Sequence, residues 1–316
     1  MTAASERVPP GRTRPARRSV DGIVLLDKPE GLTSNRALQR VRHALSAAKA
    51  GHAGTLDPLA TGMLPLCFGQ ATKTCGLILG ARKAYRARLR LGAATDTGDA
   101  HGSVVSRADV PVIDPGAVAR VLDGFEGAGE QTPPMTSALK HAGERLYDLA
   151  RRGESVPRAP RRIELYRVAL VGLAGTDVEF EVECSKGTYV RVLAEDVAVR
   201  LGTVGHLAAL RRLWVAPFHA EPMVSLDEIE AWRRGGQGEP PWLRALDCAL
   251  AELVRVDLDR VDAESIRHGR SVAGGAGLRP GTTVRAYDAD GVLLGLLEAT
   301  ADARLKVVRL LVGAAQ

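Results

Sequence analysis

Twelve consecutive residues, Gly51-His52-Ala53-Gly54-Thr55-Leu56-Asp57-Pro58-Leu59-Ala60-Thr61-Gly62, restrict this chain more than any other stretch. They hold one carboxylate, one imidazole and three glycines, and the apolar run Met63-Leu64-Pro65-Leu66-Cys67-Phe68 follows directly. Glycine opens backbone angles closed to other residues, so a shaped loop is expected here and not a helix. Asp57 precedes Pro58, whose ring pushes it out of the helical region toward an extended backbone. A single acid on a stiff loop between apolar neighbours is one of two things. It is a satisfied turn residue, since aspartate readily bonds nearby backbone, or a reactive group held ready by its surroundings.

Strands and helices mix around this loop without regular βαβ repetition, the order expected of α+β packing. Residues 23–27 read as a buried strand closed by Lys28-Pro29-Glu30-Gly31. Thr33 or Ser34 can cap a helix to about Ala48, with Leu38, Val41, Leu45 and Ala48 on one stripe. Its other faces carry Arg36, Arg40, Arg42 and His43, which are either solvated or close enough to the loop to meet phosphate. A short helix is expected over 70–81. Residues 85–91 alternate strictly, which places Tyr85, Ala87, Leu89 and Leu91 on a buried face and Arg86, Arg88 and Arg90 on the other.

Asp96-Thr97-Gly98-Asp99 reads as a turn, because the rest of a calcium loop is missing. Helical spacing returns at 115–124 and 144–152, and 151–162, with five arginines and two prolines, is an exposed basic loop suited to an RNA backbone. Strands follow at 163–173 and 178–184. Ser185-Lys186-Gly187-Thr188 then turns the chain into a helix carrying Val190, Leu193, Val197 and Leu201, with Tyr189 and Arg191 in its opening turn. Residues 206–214 form a further apolar segment.

The length of 316 residues suggests two domains. Residues 1–20 hold five arginines, three prolines and Glu6 as the sole acid, the pattern of a disordered basic arm without a signal-peptide core. That arm supplies +4 of the net charge of +6, so overall basicity says little about nucleic acid, and a local basic face would say more. No apolar run approaches the roughly 20 residues of a membrane helix. Cys67, Cys75, Cys184 and Cys248 lack metal-ligand spacing and read as reduced thiols. Residues 21–220 form the main domain. The capping box Ser225-Leu226-Asp227-Glu228 opens a helical linker over 221–249. Strands at 282–287, 291–298 and 304–312 then imply a small C-terminal β-barrel over 250–316.

Five motifs in order resemble the TruB-type tRNA pseudouridine synthases: Leu25-Leu26-Asp27-Lys28-Pro29, the loop at 51–58, Lys83-Ala84-Tyr85-Arg86, Cys184-Ser185-Lys186-Gly187-Thr188-Tyr189-Val190-Arg191, and Leu210-Arg211-Arg212-Leu213. The resemblance covers about residues 22–215 and implies a central mixed or antiparallel sheet flanked by helices. More loosely, 250–316 is similar to a PUA-like RNA-binding domain, with a plain stabilising subdomain as the alternative. It implies Asp57 as the nucleophile, with attack on sugar or base left open, and Arg191 as the cation paired with it. Tyr85 would lie on the flipped-out uridine and take part in proton transfer. Tyr189 and Leu210 would line the uracil pocket, and His52 would fill the space the base leaves. Lys28 would support the loop or touch substrate.

The reaction implied is isomerisation of the uridine at position 55, in the T-loop of tRNA, by a cytoplasmic monomer with no membrane partner. Breaking the C1′–N1 bond and rejoining through C5 involves no redox change, so neither cofactor nor metal is expected, and the chain shows no P-loop or dinucleotide fingerprint. A tRNA-binding or RNA-folding protein without required catalysis is the alternative. It leaves unexplained a reactive carboxylate beside phosphates. A nucleoside-acting glycoside hydrolase fits less well, because a second acid is absent from the loop motif.

Overall fold

A computed structural model describes residues 17–311. The first sixteen residues of the basic arm expected over 1–20 lie outside the described residues. From there Arg18 pairs beside Ala47, donating its N–H to the Ser46 carbonyl at 2.9 Å.

The chain opens with β1 (Gly22–Lys28), whose residues are almost all buried, as a central strand requires. Helix α1 (Ser34–Ala44) starts where the Thr33 side chain accepts from the Arg36 N–H at 3.2 Å. It stops short of the expected Ala48. Ser46 takes a left-handed φ of 51°, which breaks the helix, and Ala48 is exposed beyond it. Strands β2 (Ala50–His52) and β3 (Thr61–Phe68) bracket the central loop, so its irregular part is shorter than the glycines suggest. The helix expected over 70–81 divides into a 3-10 turn at Gly69–Thr74 and α2 (Cys75–Gly80).

Strand β4 (Lys83–Leu91) shows the predicted alternation of buried and exposed residues. Its outward Arg86 and Arg90 bond to Glu181 and Asp177 at 2.8 Å each. This face is therefore a self-neutralised ladder and offers little to phosphate. The small pair β5 (Ala93–Thr95) and β6 (Val104–Arg107) flanks the turn at 96–99. Then come α3 (Pro115–Asp123), β7 (Gly127–Gln131), the two-residue strands β8 (Lys140–His141) and β9 (Glu144–Arg145), and α4 (Leu146–Arg151). A hairpin of β10 (Arg161–Ala174) and β11 (Asp177–Cys184) leads to α5 (Val190–Arg200) and β12 (Gly205–Val215).

The main sheet has nine strands in the order β13-β1-β3-β12-β4-β11-β10-β7, with β2 added to β3; β13 is Val224–Ser225. It is mixed: β1 with β13 and β3 with β12 run parallel, and the other pairs are antiparallel. Its larger core brings Val41, Leu66, Phe180, Leu193 and Val197 together. Residues 221–249 fold against this sheet. The capping box forms as expected at Ser225, and α6 (Leu226–Gly235) buries Leu226 and Ile229 in the same core. Trp232 and Trp242 meet edge to face at 5.7 Å.

Beyond a 3-10 turn at Leu246–Leu250, a second sheet runs in the order β14-β16-β17-β18-β15 around its own core. Its strands β16 (Thr283–Tyr287), β17 (Leu293–Ala299) and β18 (Arg304–Leu310) follow the sequence pattern. The short β14 (Val254–Asp257), α7 (Arg260–Arg267) and β15 (Val272–Ala273) complete it.

One glycine sets the geometry of the site. Gly62 has φ +93°, and a Cβ there would lie 2.2 Å from the Arg212 carbonyl oxygen. Only glycine lets β3 approach β12 this closely, and that approach delivers the Asp57 loop to the middle of the sheet.

Candidate active site

The ends of β1, β4 and β12, the first turn of α5 and the turn at 96–99 converge on the loop between β2 and β3. Backbone and polar anchors hold that loop. Ser34, at the start of α1, accepts from the Leu56 N–H at 2.8 Å and donates to the Leu56 carbonyl at 3.0 Å. The Pro58 carbonyl takes the Gly31 N–H at 2.8 Å, and the Asp57 carbonyl closes the turn by accepting the Ala60 N–H at 3.0 Å. The turn is thus satisfied by backbone, and the Asp57 carboxylate is left for another partner.

Lys28 resolves into a support. It is fully buried, and its ammonium donates to the carbonyls of Pro29 at 2.8 Å, Leu32 at 2.7 Å and Pro58 at 3.5 Å. Burial lowers its pKa to about 8, against the opposing pull of Asp57. Lys28→Met removes the ammonium shared by the Pro29 and Leu32 carbonyls, leaves Pro58 with the Gly31 N–H alone, and is expected to lower unfolding free energy by about 3 kcal/mol. A urea melt with an unchanged midpoint would contradict that support role.

The partner of Asp57 is Arg191. Its Nε lies 3.0 Å from Asp57 Oδ2; the arginine side chain is 5% exposed, and the aspartate keeps 39% of its surface open. Arg191 is aimed by three further bonds: Nη1 to the Thr97 carbonyl at 2.8 Å, Nη1 to Thr136 Oγ1 at 2.5 Å, and Nη2 to the Thr136 carbonyl at 3.0 Å. Burial pushes the Asp57 pKa above the ordinary carboxylate range. The Arg191 charge opposes that shift, and the Asp99 charge adds to it. The result is a carboxylate held in a fixed direction by Arg191 and still open on one side.

Asp99 was legible in the sequence only as part of a turn. It is buried, its Oδ2 is 3.9 Å from Arg191 Nε, and its Oδ1 accepts from the Thr97 hydroxyl at 2.8 Å and the His101 N–H at 3.0 Å. Arg191 therefore stands between two carboxylates. Arg212 also carries no role of its own in the sequence reading, yet it is 1% exposed at the centre of the site. The missed signal is strand alternation: Arg212 shares a face with Leu210, while Arg211 turns outward to bond Asp27 at 2.9 and 2.8 Å.

Tyr85 points inward, 8% exposed, opposite Arg212 on β12 and Val182 on β11. Burial pushes its phenol pKa up, so it is protonated near neutrality. Leu210, 9% exposed, joins the apolar cluster that holds Tyr85 and the loop residues Leu56 and Leu59. Tyr189 occupies the N-cap position of α5, its N–H donating to Gln131 Oε1 at 2.9 Å and its carbonyl accepting from Gln131 Nε2 at 3.3 Å. His52 lies on β2, half-buried, with ring Nδ1 buried and unpartnered among the described residues. Burial and the charges of Arg212 and Arg145 lower its pKa, which keeps the ring neutral.

The basic features divide. Arg40 of α1 bonds Glu230 at 2.5 Å and Arg42 bonds the Ala47 and Ala48 carbonyls, while Arg36 and the His43 ring are exposed on that helix. In the basic loop, Arg152 is paired with Glu144 and Glu154, and Arg158 bonds the Pro133 carbonyl. Arg145 and Arg151 flank the Tyr147 ring at 5.8 and 5.5 Å.

The mixed sheet flanked by helices, followed by a second curled sheet, is the pseudouridine synthase fold. The fold is shared with the crystal structure of a Cbf5-Nop10-Gar1 complex, with TM-score 0.72 and 24% identity over 96% of this chain and 92% of that one. It is also shared with a structure of an H/ACA RNP bound to a substrate RNA, with TM-score 0.71 and 21% identity over 96% and 93%.

The family profile for the TruB family pseudouridylate synthase N-terminal domain matches residues 42–190. Profiles for the tRNA pseudouridylate synthase B C-terminal domain and the pseudouridine synthase II TruB C-terminal region match 191–256 and 255–311. The tRNA pseudouridine synthase B of Chromohalobacter salexigens is 45% identical over 89% of this chain and 91% of that protein. That of Aromatoleum aromaticum is 46% identical over 94% of each. The chain belongs to the TruB family of pseudouridylate synthases.

Proposed function

We propose that this protein converts the uridine at position 55, in the T-loop of tRNA, to pseudouridine, with Asp57 as nucleophile. The observation that carries this reading is the Asp57 carboxylate, free of turn bonds, open toward solvent and aimed by Arg191 Nε at 3.0 Å. The choice of tRNA rests on membership of the family and on relatives named tRNA pseudouridine synthase B. The T-loop position rests on the sequence motifs.

Pseudouridine formation opens the C1′–N1 bond, turns the base and closes a C1′–C5 bond. A carboxylate suits this chemistry because it can form an adduct and later leave with its electron pair. Arg191 keeps Asp57 ionised against burial and fixes its direction. The uridine must first leave the RNA stack, at a cost of a few kcal/mol that Tyr85, Tyr189 and Leu210 offset by packing on the base. His52, neutral and half-buried, occupies the space the base vacates. Arg145, Arg151 and Tyr147 meet the RNA backbone of the T-arm, and the PUA-like sheet over 250–316 extends that surface. The protein acts as a monomer in the cytoplasm; among the described residues no helix is long and apolar enough to cross a membrane.

The test is incubation with an unmodified tRNA transcript and with a transcript carrying cytidine at position 55, followed by pseudouridine mapping and a binding assay. One pseudouridine at that position in the first transcript and none in the second is the expected result. Tight binding of both without pseudouridine would replace the synthase reading by a binding role.

A further inference from the structure

We propose that Arg212 is a positioning residue for the reaction at Asp57: from inside the sheet its guanidinium clasps both ends of the catalytic loop and polarises the Tyr85 hydroxyl. The inference rests on the function proposed above.

Arg212 and Lys28 are the two largest side chains buried below 2% exposure. Neighbouring Arg211 has Asp27 as counter-ion, whereas Arg212 meets no carboxylate among the described residues. A buried cation without a counter-ion is costly, and an apolar side chain would fill the same volume at less cost. What Arg212 holds instead is informative. Nε donates to the Met63 carbonyl at 2.6 Å and Nη2 to the Gly54 carbonyl at 3.0 Å. These two carbonyls bracket the turn that carries Asp57. At Gly54, with φ +99°, a Cβ would lie 3.2 Å from Nη1, so the guanidinium packs directly under the loop backbone.

Arg212 stands directly across from Tyr85 in the β4–β12 register, and both side chains are buried on the same face of the sheet. The groups whose charge acts on the phenol are Arg212 from β12, Cys184 from the end of β11 and Asp57 from the loop. Around the guanidinium stand Lys28 of β1, His52 of β2 and Lys83 of β4. Burial raises the phenol pKa, while the charge of Arg212 pulls it back. Whichever atom Asp57 attacks, the isomerisation removes one proton from C5 and adds one at N1. A single hydroxyl that gives its proton to N1 and recovers the one from C5 balances both. Between these transfers it bears a negative charge, which Arg212 stabilises without reorganisation.

The experiment compares wild type, Arg212→Gln, Arg212→Lys and Tyr85→Phe. Tyr85 ionisation is read without RNA by ultraviolet phenolate absorbance, with Tyr85→Phe as the blank, and the single-turnover rate is read across pH. In Arg212→Gln the Tyr85 midpoint is expected to rise by about one pH unit and the rate to fall about 100-fold, with RNA affinity unchanged. Arg212→Lys should recover part of both, and in a Tyr85→Phe background the Gln substitution should cost far less. An unmoved Tyr85 midpoint, or the same rate loss with and without the phenol, overturns the inference. If Arg212→Gln does not fold, the midpoint of Arg212→Lys, shifted less but in the same direction, decides. If wild type makes no pseudouridine, the proposed function fails, and the phenol titration still decides whether Arg212 and Tyr85 are coupled.

Discussion

Asp57→Asn is expected to abolish pseudouridine formation, by about 10⁴-fold or more in single-turnover rate, while tRNA affinity stays within about threefold of wild type. The amide matches the carboxylate in shape and cannot form and release the adduct. The scaffold survives the change, because the loop is held by Ser34, Lys28, Arg212 and backbone bonds, none of which uses the Asp57 side chain. Stability gives an internal control. Burial raises the folded-state pKa of Asp57 above its ordinary 3.8, so the ionised form weakens the native state at every pH above that value. The variant should therefore melt no lower than wild type at neutral pH, and the two should converge as pH falls below the ordinary value. An Asp57→Asn protein that still makes pseudouridine at a tenth of the wild-type rate would remove Asp57 from the chemistry.

The second large effect belongs to Arg191. Arg191→Met should reduce the rate by about 10³-fold at neutral pH. It removes the cation between Asp57 and Asp99 and strips the Thr97 and Thr136 carbonyls of their donor. The pH dependence separates orientation from charge. Arg191 lowers the Asp57 pKa against burial, so without it the carboxylate ionises only at higher pH. The acidic limb of the rate profile should move upward in Arg191→Met, with partial recovery of rate as pH rises. Arg191→Lys should keep the limb near its wild-type position and still lose rate, since one ammonium cannot hold the same carbonyls and Asp57 together. A limb that stays in place in Arg191→Met would mean that Asp57 ionisation is not what Arg191 controls.

Much of the fold was legible locally. The strict alternation over 85–91 yields β4 with the same inward and outward faces, and Ser225 to Glu228 forms the capping box its spacing suggests. Alternation and capping depend on neighbours a few residues apart, so they survive whatever the rest of the chain does. The end of α1 was not legible, because Ser46 leaves the helix to pair the chain beside Arg18, a contact made across 28 residues. Charge on its own also misled. Arg40 and Arg152 look available to phosphate in the sequence, and each meets a carboxylate in the fold.

The site divides in the same way. By itself the sequence determined that Asp57 sits on a rigid, glycine-shaped loop, that Tyr85 faces inward and that Arg191 opens a helix. Each of these follows from residue type and short-range periodicity. Only the tertiary structure decided that Lys28 is tied to carbonyls, that Asp99 shares Arg191 with Asp57, and that Arg212 lies uncompensated beneath the loop. Those are consequences of sheet order, which sets β1, β3, β12 and β4 side by side although they are far apart in the chain. Burial and opposing charge act through space, so neither the clamp of Arg191 on Asp57 nor the Arg212 guanidinium under the loop can be read from residues close together in the chain.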